Sequence, residues 1–317
     1  MKNIAVITPV SHLKGINSLL ESKGNIFYLE NNPSKTEVKS LLDIEKIDTI
    51  VCNPNQQSFK IDFELLNNTK VSLINSCSTG LNHIDLKYCQ KNNIKIQCHK
   101  TDYDLINQLP STSELAFGLM LSLLRNIPEC SNHVSRYYWD YTQFTGRQVK
   151  DLKIGIIGYG RLGKMMFDYC KSFGADLKVY DPYKKDNMSD SFLLNHYSTS
   201  LEDLFQECDV ISLHVHVTDE TKYIINKDLL GLVQKDLYII NTSRGEIVNE
   251  LDIVNALNTG KLTGYGTDVI ENEFDDITKS PIIKAMNSGE NIIVTPHIGG
   301  MTIEGQTKAY KWSINKL

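Results

Sequence analysis

Residues Lys153–Asp181 read KIGIIGYGRLGKMMFDYCKSFGADLKVYD. The run Ile154–Ile157 is short and apolar, as in a buried strand. Gly158, Gly160 and Gly163 follow in the spacing G-x-G-x-x-G. Leu162, Met166, Tyr169 and Phe173 then recur at helical intervals until Gly174. A second short strand, Leu177–Tyr180, ends on Asp181. The first glycine allows a sharp turn out of the strand, the second lets the backbone approach a pyrophosphate, and the third lets helix and strand pack closely. The helix start, with Arg161 and Leu162 in its first turn, presents unpaired N–H groups and a positive dipole end to phosphate. Asp181 lies 18 positions beyond Gly163, where an acidic residue accepts hydrogen bonds from a ribose diol. A strand–helix turn without a ligand is the competing reading; the acidic residue in register favours a dinucleotide. A carboxylate at 181 repels a 2′-phosphate, which selects NAD over NADP, although Lys184 and Lys185 follow closely.

The chain has 317 residues, enough for two domains. A net charge of −5 gives no electrostatic reason to expect nucleic acid or an anionic membrane as partner. The longest apolar run, Leu115–Leu124, falls well short of the roughly 20 residues that span a bilayer. The seven cysteines are scattered without a C-x-x-C pair, so they read as free thiols in a reducing cytoplasm, with no metal site.

Strand and helix signals alternate on both sides of the glycine stretch. Before it, strands are expected at Ile4–Thr8, Ile26–Leu29, Thr49–Cys52, Ser72–Asn75 and Ile94–Gln97. From Lys153 on, six are expected: Ile154–Ile157, Leu177–Tyr180, Val210–Leu213, Leu237–Asn241, Leu262–Thr267 and Ile292–Thr295. The alternation predicts an α/β protein with two doubly wound parallel-sheet domains. One is a Rossmann NAD-binding domain, the other a smaller flavodoxin-like substrate domain. Ligands in such sheets bind beyond the carboxyl ends of the strands. The loops Asn53–Gln57 and Ser76–Leu81 lie there, and the second has the small residues of an anion-binding nest. Ser111 and Glu114 have the spacing of a capping box ahead of Leu115–Leu124. The stretch Arg136–Phe144 holds five aromatic residues and reads as a packing or subunit-contact segment.

Three later segments start where apolar strands stop. NTSRGE contains Thr242 and Arg244, GTDVIENE contains Asp268 and Glu273, and TPHIGG contains His297. An arginine fork suits a planar carboxylate. A histidine carries protons near neutral pH, and a carboxylate on its other nitrogen would fix its tautomer. Sequence separation alone does not show that the three converge.

With these segments in view, the chain resembles the NAD-dependent D-2-hydroxyacid dehydrogenases, in particular the phosphoglycerate dehydrogenase-like branch. The resemblance rests on TGLNHID (Thr79–Asp85), GIIGYGRLG (Gly155–Gly163), SLHV (Ser212–Val215), NTSRG (Asn241–Gly245), DVIENE (Asp268–Glu273) and TPHIGG (Thr295–Gly300). It implies that His297 is the acid/base, Glu273 its partner and Arg244 the holder of the substrate carboxylate and carbonyl. It further implies a substrate grip by Ser78, Thr79 and Gly80. His214, Thr242 and Asp268 join the glycine turn in holding NAD, with Asp268 on the nicotinamide amide. The implied boundaries are 1–105 completed by 298–317 for the substrate domain and 106–297 for the NAD domain. The implied activity interconverts a phosphoglycerate-, glycerate- or lactate-type hydroxy acid and its keto acid, in a cytoplasmic homodimer. Alternatives are an NAD-sensing corepressor-like binding protein of the same fold, or a formate dehydrogenase; the latter pairs its histidine with glutamine, against Glu273. Asn82 and His216 depart from the family's usual aspartate and proline. The 20 residues after His297 leave no expected room for the extra regulatory domain of some phosphoglycerate dehydrogenases.

Overall fold

A computed structural model of the chain describes residues 1–54, 59–187, 189–273 and 276–317. Asn55–Gln57 of the first predicted ligand-side loop therefore lie outside the described residues. The chain divides into two compact units, Met1–Leu109 with Gly300–Leu317, and Pro110–Gly299.

The first unit carries β1 (Lys2–Val6), β2 (Gly24–Tyr28), β3 (Thr49–Cys52), β4 (Leu73–Ser76) and β5 (Lys95–Gln97). They form a parallel sheet in the order β2-β1-β3-β4-β5, the flavodoxin-like order. Both faces are covered, which is why its strands are apolar at consecutive positions. Ile4 and Val6 join one cluster with Tyr310 and Ile314, while Ala5 and Ile7 join another with Val38 and Ile50. The helix Ile303–Asn315 thus supplies core to the N-terminal sheet, and its Tyr310 hydroxyl bonds Thr8 Oγ1 at 2.8 Å.

The second unit carries β6 (Lys153–Ile157), β7 (Asp176–Tyr180), β8 (Val210–Leu213), β9 (Tyr238–Asn241), β10 (Gly264–Thr267) and β11 (Ile292–Val294). All pairs are parallel, in the order β11-β10-β9-β8-β6-β7. Among the described residues only β7 lies on the far side of β6. A third strand beyond it is reduced to one bridge, Val179 to Tyr197, preceded by the helix Asp190–His196. The order of connection reverses at β6 and β8, and such a switch point is where open α/β sheets bind ligands.

The helix Ser111–Leu124 forms, with Ala116, Leu119, Met120, Leu123 and Leu124 buried. Its expected capping box does not. Pro110 occupies the N-cap with helical dihedrals, the Glu114 amide bonds Pro110 O at 3.0 Å, and Ser111 becomes the first helical residue. Among the described residues no helix is long and apolar enough to cross a membrane.

One buried histidine ties the stability of the first unit to pH. His83 Nε2 sits 3.4 Å from both Cys52 Sγ and Ser76 Oγ. Burial pushes its pKa down from 6.5 to about 4. The unfolded chain therefore takes up a proton between pH 6.5 and 4 that the folded unit refuses. Stability is full above pH 6.5 and falls as the pH drops towards 4, by about 3 kcal/mol at roughly 1.4 kcal/mol per pH unit. Urea unfolding across this range is expected to show that loss, and a His83→Gln variant to show a shallower one.

Candidate active site

The six loops beyond the carboxyl ends of the second sheet hold every candidate residue of that unit. Gly158–Gly163 follow β6, Asp181 follows β7 and His214 follows β8. Thr242 and Arg244 follow β9, Asp268 follows β10 and His297 follows β11. A parallel sheet sends all its carboxyl ends the same way, so residues more than a hundred positions apart reach one edge.

The glycine turn is built by close approach. Gly158 has φ 91, and a Cβ there would lie 2.5 Å from His214 O. A Cβ on Gly163 would lie 2.0 Å from Gly158 O. Gly160 differs: nothing lies within 4 Å of its Cβ direction, so the backbone there is open. The helix Arg161–Ser172 begins at Gly160 with no side-chain cap and no acidic residue in its first turn. Its N-terminal N–H groups are thus left for an anion. Ser113 Oγ donates to Leu162 O at 3.0 Å and ties the first turn to the helix Ser111–Leu124. Burial pulls the Arg161 pKa down. Asp181, 9% exposed, accepts from the Tyr159 amide at 2.8 Å and the Tyr183 amide at 3.1 Å. Those bonds aim a carboxylate, with lone pairs to spare for a diol, at the edge of the glycine turn.

Among the described residues, His214 Nδ1 and Thr242 Oγ1, buried on neighbouring loops, have no hydrogen-bond partner. Buried polar groups are ordinarily satisfied, so a ligand with donors and acceptors fits here. His214 Nε2 is engaged with Ser212 Oγ at 2.8 Å, and burial pushes the imidazole pKa down to about 4, so the ring is neutral at pH 7.

Glu273 and His297 meet. Glu273 Oε2 lies 2.8 Å from His297 Nδ1, with side chains 16% and 25% exposed. A carboxylate facing Nδ1 favours the tautomer that carries its proton there. The His297 backbone is left-handed, φ 53, unfavourable for a residue with a Cβ. Asp268 holds it there. Its carbonyl accepts the His297 amide at 3.0 Å. Its carboxylate accepts Thr295 Oγ1 at 2.5 Å, the Ile298 amide at 2.8 Å and the Gly299 amide at 2.7 Å. Burial raises the Asp268 pKa, with those hydrogen bonds acting against it. Sequence reasoning assigned Asp268 to a cofactor contact alone and missed this clamp, for which no spacing rule exists.

Arg244 stands at the start of the turn after β9, beside the loop that carries Glu273. A Cβ on the next residue, Gly245, would lie 2.1 Å from the Ile270 carbonyl carbon. The guanidinium donates to Ser243 O at 2.6 Å and is not hydrogen-bonded to Glu273 or His297 among the described residues. In the other unit Ser78 Oγ is bonded to Ser76 Oγ (2.9 Å) and Gly80 O (2.8 Å), which shapes the turn after β4, and Thr79 is exposed.

A glycine turn at a sheet switch point with a fixed acidic residue beside it marks an NAD-binding α/β protein, and a carboxylate–imidazole pair stands on the same edge. The chain belongs to the D-isomer-specific 2-hydroxyacid dehydrogenase family. Residues 117–299 match its NAD-binding domain and residues 4–104 its catalytic domain. A D-3-phosphoglycerate dehydrogenase of Methanocaldococcus jannaschii is 31% identical over 76% of this chain and 44% of its own length. This chain therefore spans less than half of that relative. A hydroxypyruvate reductase of Thermotoga maritima is 28% identical over 93% of this chain and 91% of its own. Among solved structures, the D-lactate dehydrogenase of Aquifex aeolicus complexed with NAD and lactic acid superposes with a TM-score of 0.74. It is 26% identical and covers 99% of this chain, which covers 94% of it.

Proposed function

We propose that the chain interconverts a D-2-hydroxy acid and its 2-keto acid with NAD. The observation that carries this reading is the 2.8 Å contact between Glu273 and His297 Nδ1 on the sheet edge that holds the glycine turn. NAD, when bound, gives or accepts the hydride at the carbon bearing the oxygen. Gly158, Gly160, Arg161, Leu162 and Gly163 hold its pyrophosphate and Asp181 its ribose diol. His214, Thr242 and Asp268 line the nicotinamide side. His297 passes the proton to and from the substrate oxygen through Nε2, and Glu273 keeps Nδ1 protonated and balances the imidazolium. Arg244 grips the carboxylate and polarises the carbonyl with its planar fork. In the other unit, Ser78, Thr79 and Gly80 are the substrate-binding candidates.

Glycerate-, lactate- and phosphoglycerate-type substrates all fit the relatives' names. An NADH-oxidation assay across pyruvate, hydroxypyruvate, glyoxylate, phosphohydroxypyruvate and longer 2-keto acids separates them. Turnover on at least one, with the D-isomer as product, is expected. NAD binding without turnover on any would favour the corepressor-like role. Seven free cysteines support a reducing cytoplasm as its location. Tyr137, Trp139 and Tyr141 are 98%, 91% and 88% exposed, which supports a second copy of this chain as partner. Sedimentation as a monomer at micromolar concentration would remove that part of the proposal.

A further inference from the structure

Glu273 lies in a turn after β10, outside the strands of the sheet. Something must hold its carboxylate against the imidazole. Glu250 opens the helix Glu250–Asn258 and is only 6% exposed, and burial raises its pKa. A buried carboxylate is costly unless its oxygens are satisfied. No cation pairs with it among the described residues. Oε1 accepts the Glu271 amide at 2.7 Å and Oε2 accepts the Ser280 hydroxyl at 3.2 Å. The Glu271 carboxylate in turn receives the Tyr223 hydroxyl. Asn272 is left-handed, φ 57, a conformation asparagine tolerates, and Glu273 comes next.

We propose that Glu250 is a positioning residue for the proton-carrying pair: its buried carboxylate pins the Glu271 amide, and the turn at Asn272 then presents Glu273 to His297 Nδ1. This rests on the reading of Glu273 and His297 given above. Glu250 touches neither cofactor nor substrate in it; the effect passes through two residues of backbone. The neighbouring turn leaves that backbone little room to move elsewhere, because Gly245 packs directly on the Ile270–Glu271 peptide.

The test compares Glu250→Met, Glu250→Asp and Glu250→Gln, with Glu273→Gln as reference. Methionine keeps the volume and removes the acceptor. Aspartate keeps the charge and withdraws the acceptor by one methylene. Glutamine keeps an oxygen that can accept the Glu271 amide. The first readout is the pair of imidazole ¹⁵N shifts of His297, which report the neutral tautomer and do not depend on turnover. In the wild type Nδ1 carries the proton. The Met and Asp variants are expected to shift towards the mixed tautomers of Glu273→Gln, and Glu250→Gln to keep the wild-type signals. On the best keto acid, kcat should fall by about tenfold or more in Glu250→Met, as expected of a misplaced catalytic group. NAD affinity should stay unchanged, and Glu250→Gln should restore kcat. Wild-type nitrogen shifts in both folded Met and Asp variants, with Glu273→Gln shifted, would overturn the role of Glu250 and leave the pair intact. Shifted nitrogens with no turnover on any keto acid would instead remove the dehydrogenase reading and leave Glu250 as the residue that positions His297.

Discussion

Replacing His297 with asparagine is expected to lower kcat for keto-acid reduction by about a thousandfold, within the range ascribed to a positioned acid–base group. Asparagine is smaller, but its amide N–H can still donate to the Glu273 carboxylate. It has no nitrogen that gains and loses a proton near neutral pH. The substrate oxygen would then have to take its proton from water. The glycine turn, Asp181 and the orphaned polar atoms on the loops after β8 and β9 are untouched, so NAD affinity should stay within about twofold. Fluorescence titration with NADH alongside stopped-flow reduction separates the two quantities. Equal losses in both would place His297 in cofactor binding and take it out of proton transfer.

The second large effect is expected at Gly163. An added Cβ would stand 2.0 Å from Gly158 O and 3.3 Å from Ile156 Cγ2. The first of these is backbone at the heart of the turn and cannot rotate away. The helix Arg161–Ser172 must therefore back off from β6. Alanine raises intrinsic helix propensity by about 1 kcal/mol over glycine, but forcing atoms into a filled space costs about 1–3 kcal/mol or more. A net loss of about 1–2 kcal/mol in unfolding free energy is expected. Binding should suffer further, since the N–H groups at the helix start lose their aim. Two misaligned hydrogen bonds to a charged phosphate, at about 1.5 kcal/mol each, correspond to about a hundredfold in Kd for NAD. Gly160→Ala is the discriminating control. Its Cβ meets nothing within 4 Å, so stability should hold while NAD binding weakens. Should Gly160→Ala and Gly163→Ala have equal effects on stability, the close-packing role assigned to Gly163 is wrong.

The apolar runs located the strands well because both sheets are covered on both faces. Val210–Leu213 and Thr49–Cys52 are buried at every position and begin and end where their hydropathy does. The glycine turn was legible because its constraints are local: Gly163 answers to an atom five residues away, and Gly158 to one in the loop after the neighbouring strand. Less was legible at the edges. The bridge from Val179 to Tyr197 beyond β7 has no apolar run of its own to mark it in the sequence. The start of the helix at Ser111 turned on one residue, because Pro110 already has helical dihedrals. The candidate pair was named from a resemblance, and neither Glu273 nor His297 sits in a periodic pattern. What holds them was not legible at all. Asp268 reaches three groups at 295–299, and Glu250 reaches the amide of residue 271. Such bonds join loops from different strands, and only the sheet, by sending its carboxyl ends to one edge, brings them within 3 Å.

The most direct measurement is a crystal structure with NAD and a non-reactive 2-keto acid analogue bound. The expected result is an analogue oxygen within hydrogen-bond reach of both His297 Nε2 and the Arg244 guanidinium, with Glu273 still on Nδ1 and the pyrophosphate on the amides at Gly160–Leu162. An analogue seated elsewhere, or His297 turned away from it while Glu273 keeps its contact, would contradict proton transfer by this pair.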